Sequence, residues 1–399
     1  GIVILRHFPQ VILLFCMVDW PVFMRRKMVC ALAESVRKYD SIVVAVNRPL
    51  CPFTTWIRKP DRINELFGPS KIEKLSDNLF LFSPKYFVTD MITRHFEFLN
   101  YMNLIILRSE FGRLEGKLKV QIKQPIVWIY HPVQGYLTSL YPNSLNLMEV
   151  KDNYVDLYGR SDNNVDELER RFRPYIDLLL ATSQKSLKKY GPNYKTAWLS
   201  GNGLDRNTYQ RLTAENIEPY APIKKISAPR IGYTGIISDR LDWKLVKSVI
   251  EKSADKDFIF VGQVADRDAV ESVRSLPNAH FIGKVPHEQI PAVLKAFDLG
   301  WMPYRDNRFF RYSNPLKFYE FAAAGIPMVS SNMEHLNQFD QDFVEVIENR
   351  EDLWIDAIEK MLAYDRGEAL ETGRAIASGF IWEDMTEKLV EQIRNHFYI

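Results

Sequence analysis

Apolar residues in this chain come in short runs separated by stretches of helical periodicity, and the rhythm repeats from end to end. "VILLFCMV" (11–18) is a continuous apolar run, as expected of a strand buried on both faces of a parallel sheet. "PVFMRRKMVCALAESVRKYD" (21–40) opens on proline and places Phe23, Met24, Met28, Ala31, Leu32 and Val36 at helical spacing. Further strands are predicted at "SIVVAVN" (41–47), "LFLFSP" (79–84), "PIVWIYHP" (125–132), "LNLMEV" (145–150) and "LLLATS" (178–183), with a helix over 163–176. "LSGNGLDRNTY" (199–209) supplies turn chemistry, and a polar, proline-containing stretch follows at 213–229. Alternation then restarts. Strands are predicted at 230–237, 258–262, 280–285, 299–304, 328–331 and 343–347, and helices at 241–252, 266–274, 287–297, 351–364 and 382–399. Such alternation implies parallel sheets covered by helices, and 399 residues exceed what one core usually supports. The expectation is α/β, two doubly wound Rossmann-like halves joined near residue 200.

Composition excludes several classes. With 46% apolar and 26% charged residues the chain is neither disordered nor fibrous. No run approaches the roughly 20 apolar residues that span a bilayer. No basic region precedes an apolar stretch and a small-residue cleavage site, so a cytoplasmic location is expected. Cys16, Cys30 and Cys51 form no CxxC pair and read as reduced thiols rather than a disulfide scaffold or zinc site.

Charge is uneven. Residues 1–200 hold 28 Lys and Arg against 19 Asp and Glu, and residues 201–399 hold 24 against 31. A basic first half suits a phosphate-bearing acceptor or the anionic inner face of a membrane, and no nucleic-acid partner is expected. The segment 86–122 is rich in Phe, Tyr, Leu and Met, with Arg94, Arg108, Arg113, Lys117 and Lys119 interspersed. It reads either as the core side of a covering helix or as a lipid-touching face.

The densest chemistry lies in "YSNPLKFYEFAAAGIPMVSS" (312–331). Ser313 or Asn314 is the expected N-cap, with Pro315 at the first helical position and Leu316 following. Gly325 is the expected left-handed terminator, and Pro327 prevents resumption. The helix would start at the C-terminal edge of a parallel sheet, where ligands bind. Its unpaired N–H groups and Lys317 in the first turn would hold a diphosphate. Glu320 lies one turn on, on the same face, where a carboxylate matches the two hydroxyls of a ribose. The competing reading is a Lys–Glu surface pair on a core helix. Gly232 and Gly235 in "IGYTG" and Gly283 in "FIGKV" stand at strand ends, where backbone approaches a ligand closely.

These residues carry a resemblance. "FVGQV…HFIGKVPHEQIPAVLKAFDLGWMPY…NPLKFYEFAAAGIPMVSS" resembles the donor-nucleotide half of GT-B glycosyltransferases of the family-4-like group, and within it the teichuronic-acid type. The likeness extends to "NGLD" (202–205) and to "IWED" (381–384) before the final helix. It implies two Rossmann-like domains facing across a cleft. Residues 1–203 would bind the acceptor, 204–380 would bind the nucleotide sugar, and 381–399 would return as a helix to the first domain. It implies that Glu320 binds ribose, that Lys317 and the backbone of Ser313, Asn314 and Pro315 hold the diphosphate, and that Gly283, Lys284 and Val285 meet the base. Many retaining members carry a glutamate eight residues before the one matching Glu320; here that residue is Tyr312.

Glycosyl transfer also needs a base for the acceptor proton. Asp152 in "MEVKD" is the first candidate, through a resemblance to inverting relatives, and the alternative is a turn cap. His131 at the end of "IVWIYHP" is the second. Glu149, like Asp152, follows "LNLM" at a strand end. Asp19 either orients the acceptor or caps the helix at Pro21. Arg305, Arg308 and Arg311 precede the anion site, and one of them is expected to close over the phosphates. Asp340-Gln341-Asp342 matches DxD spacing but reads as a solvated turn, so neither metal nor cofactor is expected. The activity implied by the resemblance is transfer of a sugar from a UDP-linked donor to a lipid-linked or polysaccharide acceptor in bacterial surface glycan synthesis. A non-catalytic nucleotide-sugar-binding scaffold and a nucleotide-sugar epimerase are the alternatives.

Overall fold

The structure, a computed structural model, describes residues 7–52, 55, 63, 64, 66–86, 88–93, 96–151, 154 and 163–398. It falls into two compact units. Residues 201–381 lie in the second; the first takes the chain up to Tyr154, the stretch ending at Ser200, and everything from Trp382 onward.

The first unit is built on an eight-stranded sheet. Its strands are β1 (Val11–Phe15), β2 (Ile42–Val46), β3 (Lys71–Lys74), β4 (Leu79–Ser83), β5 (Ile126–Ile129), β6 (Leu145–Val150), β7 (Leu178–Ala181) and β8 (Ala197–Leu199). Their spatial order is β3-β4-β2-β1-β5-β6-β7-β8. All pairs are parallel except β3 with β4. The central strands are the apolar runs read from the sequence, and β1, β5 and β6 are buried at every position. Strand β1 ends at Phe15, three residues before the apolar run does. Strands β3 and β8 were not expected. "KIEK" carries three charges and only one apolar residue, and Ala197–Leu199 is three residues long, so both are edge strands with little hydrophobic signal.

Helix α1 (Arg26–Val36) covers one face of this sheet, turning Met28, Val29, Ala31, Leu32, Ala33 and Val36 inward. Helix α2 (Glu97–Leu118) occupies the aromatic segment 86–122. Leu104, Leu107, Phe111 and Leu114 are buried in the core on the other face of the sheet, so the middle and end of α2 are a covering helix. Its first half differs: Phe98 and Tyr101 are 68% and 64% exposed, and Phe96, Met102 and Ile105 are exposed with them. Among the described residues no helix is long and apolar enough to cross a membrane.

The second unit is a six-stranded, wholly parallel sheet of β9 (Arg230–Thr234), β10 (Asp257–Val261), β11 (Ala279–Gly283), β12 (Leu299–Met302), β13 (Met328–Ser331) and β14 (Val344–Ile347). The order is β11-β10-β9-β12-β13-β14. The chain leaves β9 in one direction and returns to its other side at β12, which makes the β9–β12 boundary a topological switch point.

The C-terminal helix α7 (Trp382–Phe397) packs on α1 within the first unit. Lys38 donates to Glu387 and Glu391 on its outside, and Ser35 meets Thr386 at 2.9 Å within. Beneath its first turn lies a buried ion pair. Arg25, 4% exposed, donates to Glu149, which is wholly buried and also accepts from Ser200 Oγ at 2.8 Å. The Arg25 guanidinium lies 4.5 Å over the Trp382 ring. Removing one partner of such a pair strands the other charge in a low dielectric, at a cost of about 3–5 kcal/mol. Arg25→Ala is therefore expected to lower the urea midpoint of the first unit sharply. Arg25→Met combined with Glu149→Leu, which removes both charges, should recover most of the loss.

Candidate functional site

The helix anticipated at 316 is α5 (Leu316–Ala324), and it follows β12 in the chain. Phe318, Tyr319, Phe321 and the three alanines are buried, leaving Lys317 and Glu320 as the polar residues of an otherwise enclosed helix. The alanines allow close packing with α6 (Arg366–Ser378), where a Cβ on Gly373 would come 2.4 Å from the carbonyl of Ala322. Gly325 ends the helix at φ 72°, as its position suggested, with Ile326 N–H donating to the Phe321 carbonyl.

The helix start differs from expectation. Pro315 itself stands at the N-cap position, and no side chain caps the helix. Ser313 instead donates to the Phe309 carbonyl at 3.1 Å. Asn314 accepts from the Tyr319 hydroxyl at 2.9 Å, and its carbonyl accepts from the Asn202 amide at 2.8 Å. The reason is Pro315: its ring fixes φ and its nitrogen has no hydrogen, so the turn is held from below by Tyr319 and Asn202. His335 Nε2 lies 3.2 Å from the same Tyr319 hydroxyl, and burial pushes its pKa down to about 4, so the imidazole is neutral. A turn held from below and a helix start with no side-chain cap are the outcome.

Lys317 makes no pair with Glu320. Its ammonium donates to the Tyr304 hydroxyl at 2.9 Å, 3.9 Å from the Tyr233 ring centroid and 5.4 Å from that of Tyr304. Tyr233 belongs to β9 and Tyr304 follows β12, so the ammonium stands at the switch point, on the carboxyl edge of the sheet. Burial would raise the Tyr304 hydroxyl, but the Lys317 ammonium and the Tyr233 hydroxyl hold it below the ordinary phenol. Gly235, at φ 131°, lies against the ammonium, and a Cβ there would be 2.8 Å from Nζ.

Glu320 is half-buried and has no hydrogen-bond partner among the described residues. Its carboxyl is raised to about 7, chiefly by burial, with Lys317 pulling it down and Asp205 pushing it up. Asp205 is the N-cap of α4 (Arg206–Thr213), accepting from Thr208 N–H at 3.1 Å. A cation, uncapped N–H groups and an unpartnered carboxylate one turn apart fit a diphosphate and a diol.

The other candidates are placed as follows. Gly283 closes β11 at φ 84° with open space where a side chain would be; Lys284 is exposed and Val285 half-buried against the core. Arg305 is exposed. Arg311 is engaged by Asp306 in a two-pronged pair at 2.7 and 2.9 Å. Tyr312 is half-buried and terminates the one-turn helix Arg308–Arg311. Asp340 accepts from Asp342 N–H, a local turn, and among the described residues no group of three or more His, Cys, Asp or Glu is arranged to hold a metal. A cavity of about 380 Å³, lined by Pro229, Phe297, Ile326 and Leu370, opens at the opposite, amino edge of the second sheet, away from these groups.

In the first unit Asp152 lies outside the described residues. His131 caps the turn Pro132–Ser139 through Nδ1, which accepts from Val133 N–H at 3.2 Å, and its ring stands edge-on to Tyr154. Glu149 is buried in its ion pair with Arg25. Asp19 does not cap the turn Trp20–Val22 as expected, because its side chain makes no capping bond there; it lines a surface pocket instead. Sequence reasoning missed Tyr233, Tyr304, Asn202 and Asp205. In sequence "NGLD" reads as a junction, and no local spacing singles out Tyr233 or Tyr304.

Residues 228–364 match the family model described as Glycosyl transferases group 1. Over 286 residues the chain is 29% identical to a protein of Bacillus subtilis (strain 168) named as a teichuronic acid biosynthesis glycosyltransferase, TuaH, covering 66% of this chain and 70% of that one. Among solved structures, sucrose-phosphate synthase from Thermosynechococcus elongatus aligns with a TM-score of 0.70 at 15% identity, covering 97% of this chain and 98% of that one. The E. coli trehalose-6-phosphate structure bound with UDP-2-fluoro glucose aligns at 0.67 and 9%, covering 96% and 98%. A glycosyltransferase from Rickettsia africae aligns at 0.66 and 13%, covering 97% and 98%. At these identities the structural likeness speaks for the fold, which is GT-B.

Gly235→Ala would put a methyl against the ammonium and an L-residue at a φ it rarely adopts, a strain of about 1–3 kcal/mol. Pyrophosphate affinity, measured by titration calorimetry, is expected to fall about tenfold or more. Gly112→Ala, where nothing lies within 4 Å of the new methyl, should leave it unchanged.

Proposed function

With residues 228–364 forming a glycosyl transferases group 1 domain in a chain of GT-B fold, we propose that this protein moves a sugar from a nucleoside-diphosphate donor, UDP-linked, to a hydroxyl of a lipid-linked or polysaccharide acceptor. The observation that carries the reading is the Lys317 ammonium at the β9–β12 switch point, beside an uncapped helix start and one turn before an unpartnered carboxylate. In this reading Lys317 and the first N–H groups of α5, in the turn made by Ser313, Asn314, Pro315 and Leu316, hold the diphosphate. Glu320 accepts both ribose hydroxyls, and the backbone at Gly283, Lys284 and Val285 meets the base. The acceptor oxygen attacks the anomeric carbon as its bond to the diphosphate breaks. The departing negative charge meets groups already oriented toward it. The acceptor proton passes to Asp152 or His131, and the scheme needs no metal. A role in surface glycan synthesis is supported by the similarity to the protein named for teichuronic acid biosynthesis.

Two measurements test the donor site. UDP is expected to raise the melting temperature of the intact chain by mass action. Loss of a charge-assisted contact costs about 1.5–3 kcal/mol, so Lys317→Ala should weaken UDP about 10- to 100-fold. The pH dependence has a definite sign. Free Glu320 titrates near 7, and only its ionised form accepts both hydroxyls, so UDP affinity should climb by up to about tenfold per pH unit below 7 and level off above it. Glu320→Gln should flatten that profile. Full UDP binding in both variants would move the site elsewhere. Binding of UDP-sugars with neither UDP release nor a glycosylated product would favour a binding-only protein, the reading that Tyr312 in place of a second glutamate keeps open.

For the acceptor side, the exposed aromatic start of α2 and the basic first half support contact with an anionic membrane surface. Flotation with vesicles containing anionic lipid is the check, and Phe98→Glu with Tyr101→Glu is expected to abolish it.

A further inference from the structure

We propose that the cavity of about 380 Å³ at the amino edge of the second sheet is a binding site for a small monocarboxylate with an apolar body, its charge held by Lys295. The site lies within the second unit and uses none of the donor residues, so it stands or falls apart from the glycosyl-transfer reading.

The floor is preformed. Pro229, Asp298 and Pro327 each stand one residue before a strand, and those strands, β9, β12 and β13, are neighbours in the sheet. Arg230 N–H donates to the Asp298 carboxylate at 2.8 Å, and Asp298 N–H returns a bond to the Arg230 carbonyl at 2.9 Å. Gly300 N–H donates to the Pro327 carbonyl at 2.8 Å, so all three strand starts are tied together.

The walls are apolar and already in contact. On one side the end of α5 meets α6, where a Cβ on Gly325 would fall 2.5 Å from Leu370 Cδ1. On another, Met361 and Leu362 end the helix Glu351–Leu362. Phe297 is fully buried and stacks on Phe321 with centroids 6.1 Å apart. Mostly apolar walls with a few polar groups, in a volume near the small end of roughly 300–1,000 Å³, are what small-molecule sites have in common.

Charge selects the ligand. Asp298 is the carboxylate of the lining, and it is neutralised: Arg230 Nε lies 3.4 Å away, and Arg366 donates to its other oxygen. Arg374 donates to the Thr213 carbonyl at 2.7 Å. Lys295 differs. It ends the helix Ile290–Lys295, lines the cavity half-buried, and has no hydrogen bond or ion pair among the described residues. Burial holds its pKa below the usual lysine range, and the Arg374 guanidinium adds repulsion. An ammonium drawn from water without a counter-ion destabilises the fold, and a bound carboxylate would supply the missing charge. One unpaired ammonium beside an apolar wall matches one negative charge on an apolar body. A phosphate monoester would bring a second charge that no unengaged cation of the lining meets. A sugar would bring hydroxyls that the wall cannot pair.

The test is a set of saturation-transfer NMR titrations of the intact chain with octanoate, octan-1-ol and octyl phosphate. Octanoate should bind about tenfold or more tighter than octan-1-ol, and more tightly than octyl phosphate. Lys295→Met keeps the apolar stem and removes the charge. It should weaken octanoate about tenfold or more, to the level of octan-1-ol, while melting no lower than the wild-type chain. Leu370→Glu sets a like charge in the wall and should abolish octanoate binding, a second readout that leaves Lys295 in place. No octanoate binding, wild-type octanoate affinity in a folded Lys295→Met chain, or preference for octyl phosphate or octan-1-ol would overturn the proposal.

Discussion

Everything at the carboxyl edge of the second sheet is arranged around one ammonium. Lys317 has no carboxylate within pairing distance among the described residues; it is held by the face of Tyr233 and the oxygen of Tyr304. A cation over an aromatic face gains about 0.5–2 kcal/mol, enough to fix its direction while leaving its charge unneutralised. Had Glu320 taken it in a surface pair, neither group would be available to a ligand. The backbone beneath must then be bare. A Cβ on Gly262 would fall 1.8 Å from the Gly235 carbonyl, and one on Gly235 would meet Nζ, so two strand ends cross at van der Waals contact to make room for the charge.

The fold was largely legible because its signal is hydrophobic. Strands such as Val11–Phe15 are buried at every position, and a continuous apolar run of that kind has few other uses. Edge strands β3 and β8 were not legible, since an edge is half solvated and "KIEK" looks like any charged loop. At the site the residue types were visible and their partners were not. Lys317, Glu320 and Gly325 stand in one local segment, where helical geometry does the arithmetic. Tyr233, Tyr304 and Asn202 lie 84, 13 and 115 positions from Lys317, and no spacing rule brings them to it. The misreading of Ser313 and Asn314 as caps has the same origin: Asn314 was claimed by Tyr319 on the helix and Asn202 from outside it.

The two units treat their carboxylates in opposite ways. Glu149 in the first unit is enclosed with Arg25 and Ser200 beneath Trp382, and the pair ties the start of the last helix to the sheet. Asp19 is half-buried and Glu73 is exposed. Burial therefore sorts the acidic residues of the first unit into an enclosed set and a solvent-reached one, which composition alone leaves mixed. His131 belongs with the first set in one respect, because its Nδ1 is spent on the turn it caps.

Glu320 is the group whose energetics connect stability with binding. Burial lifts its carboxyl to about 7, so across the range from about 4.5 to 7 the folded chain holds a proton that the unfolded chain releases. Stability then falls as pH rises through that window, the reverse of a salt-bridged carboxylate, and above 7 the fold carries an ionised group with no partner of its own. A residue that costs the folded state in this way is retained where something else satisfies it. The two hydroxyls of a ribose would do so, each donating to one carboxylate oxygen in a region where water has been displaced. Lys317 limits the cost by drawing the pKa down, and Asp205, which caps α4, raises it again. The balance leaves Glu320 poised near neutrality, with no hydrogen-bond partner among the described residues to spend its capacity on.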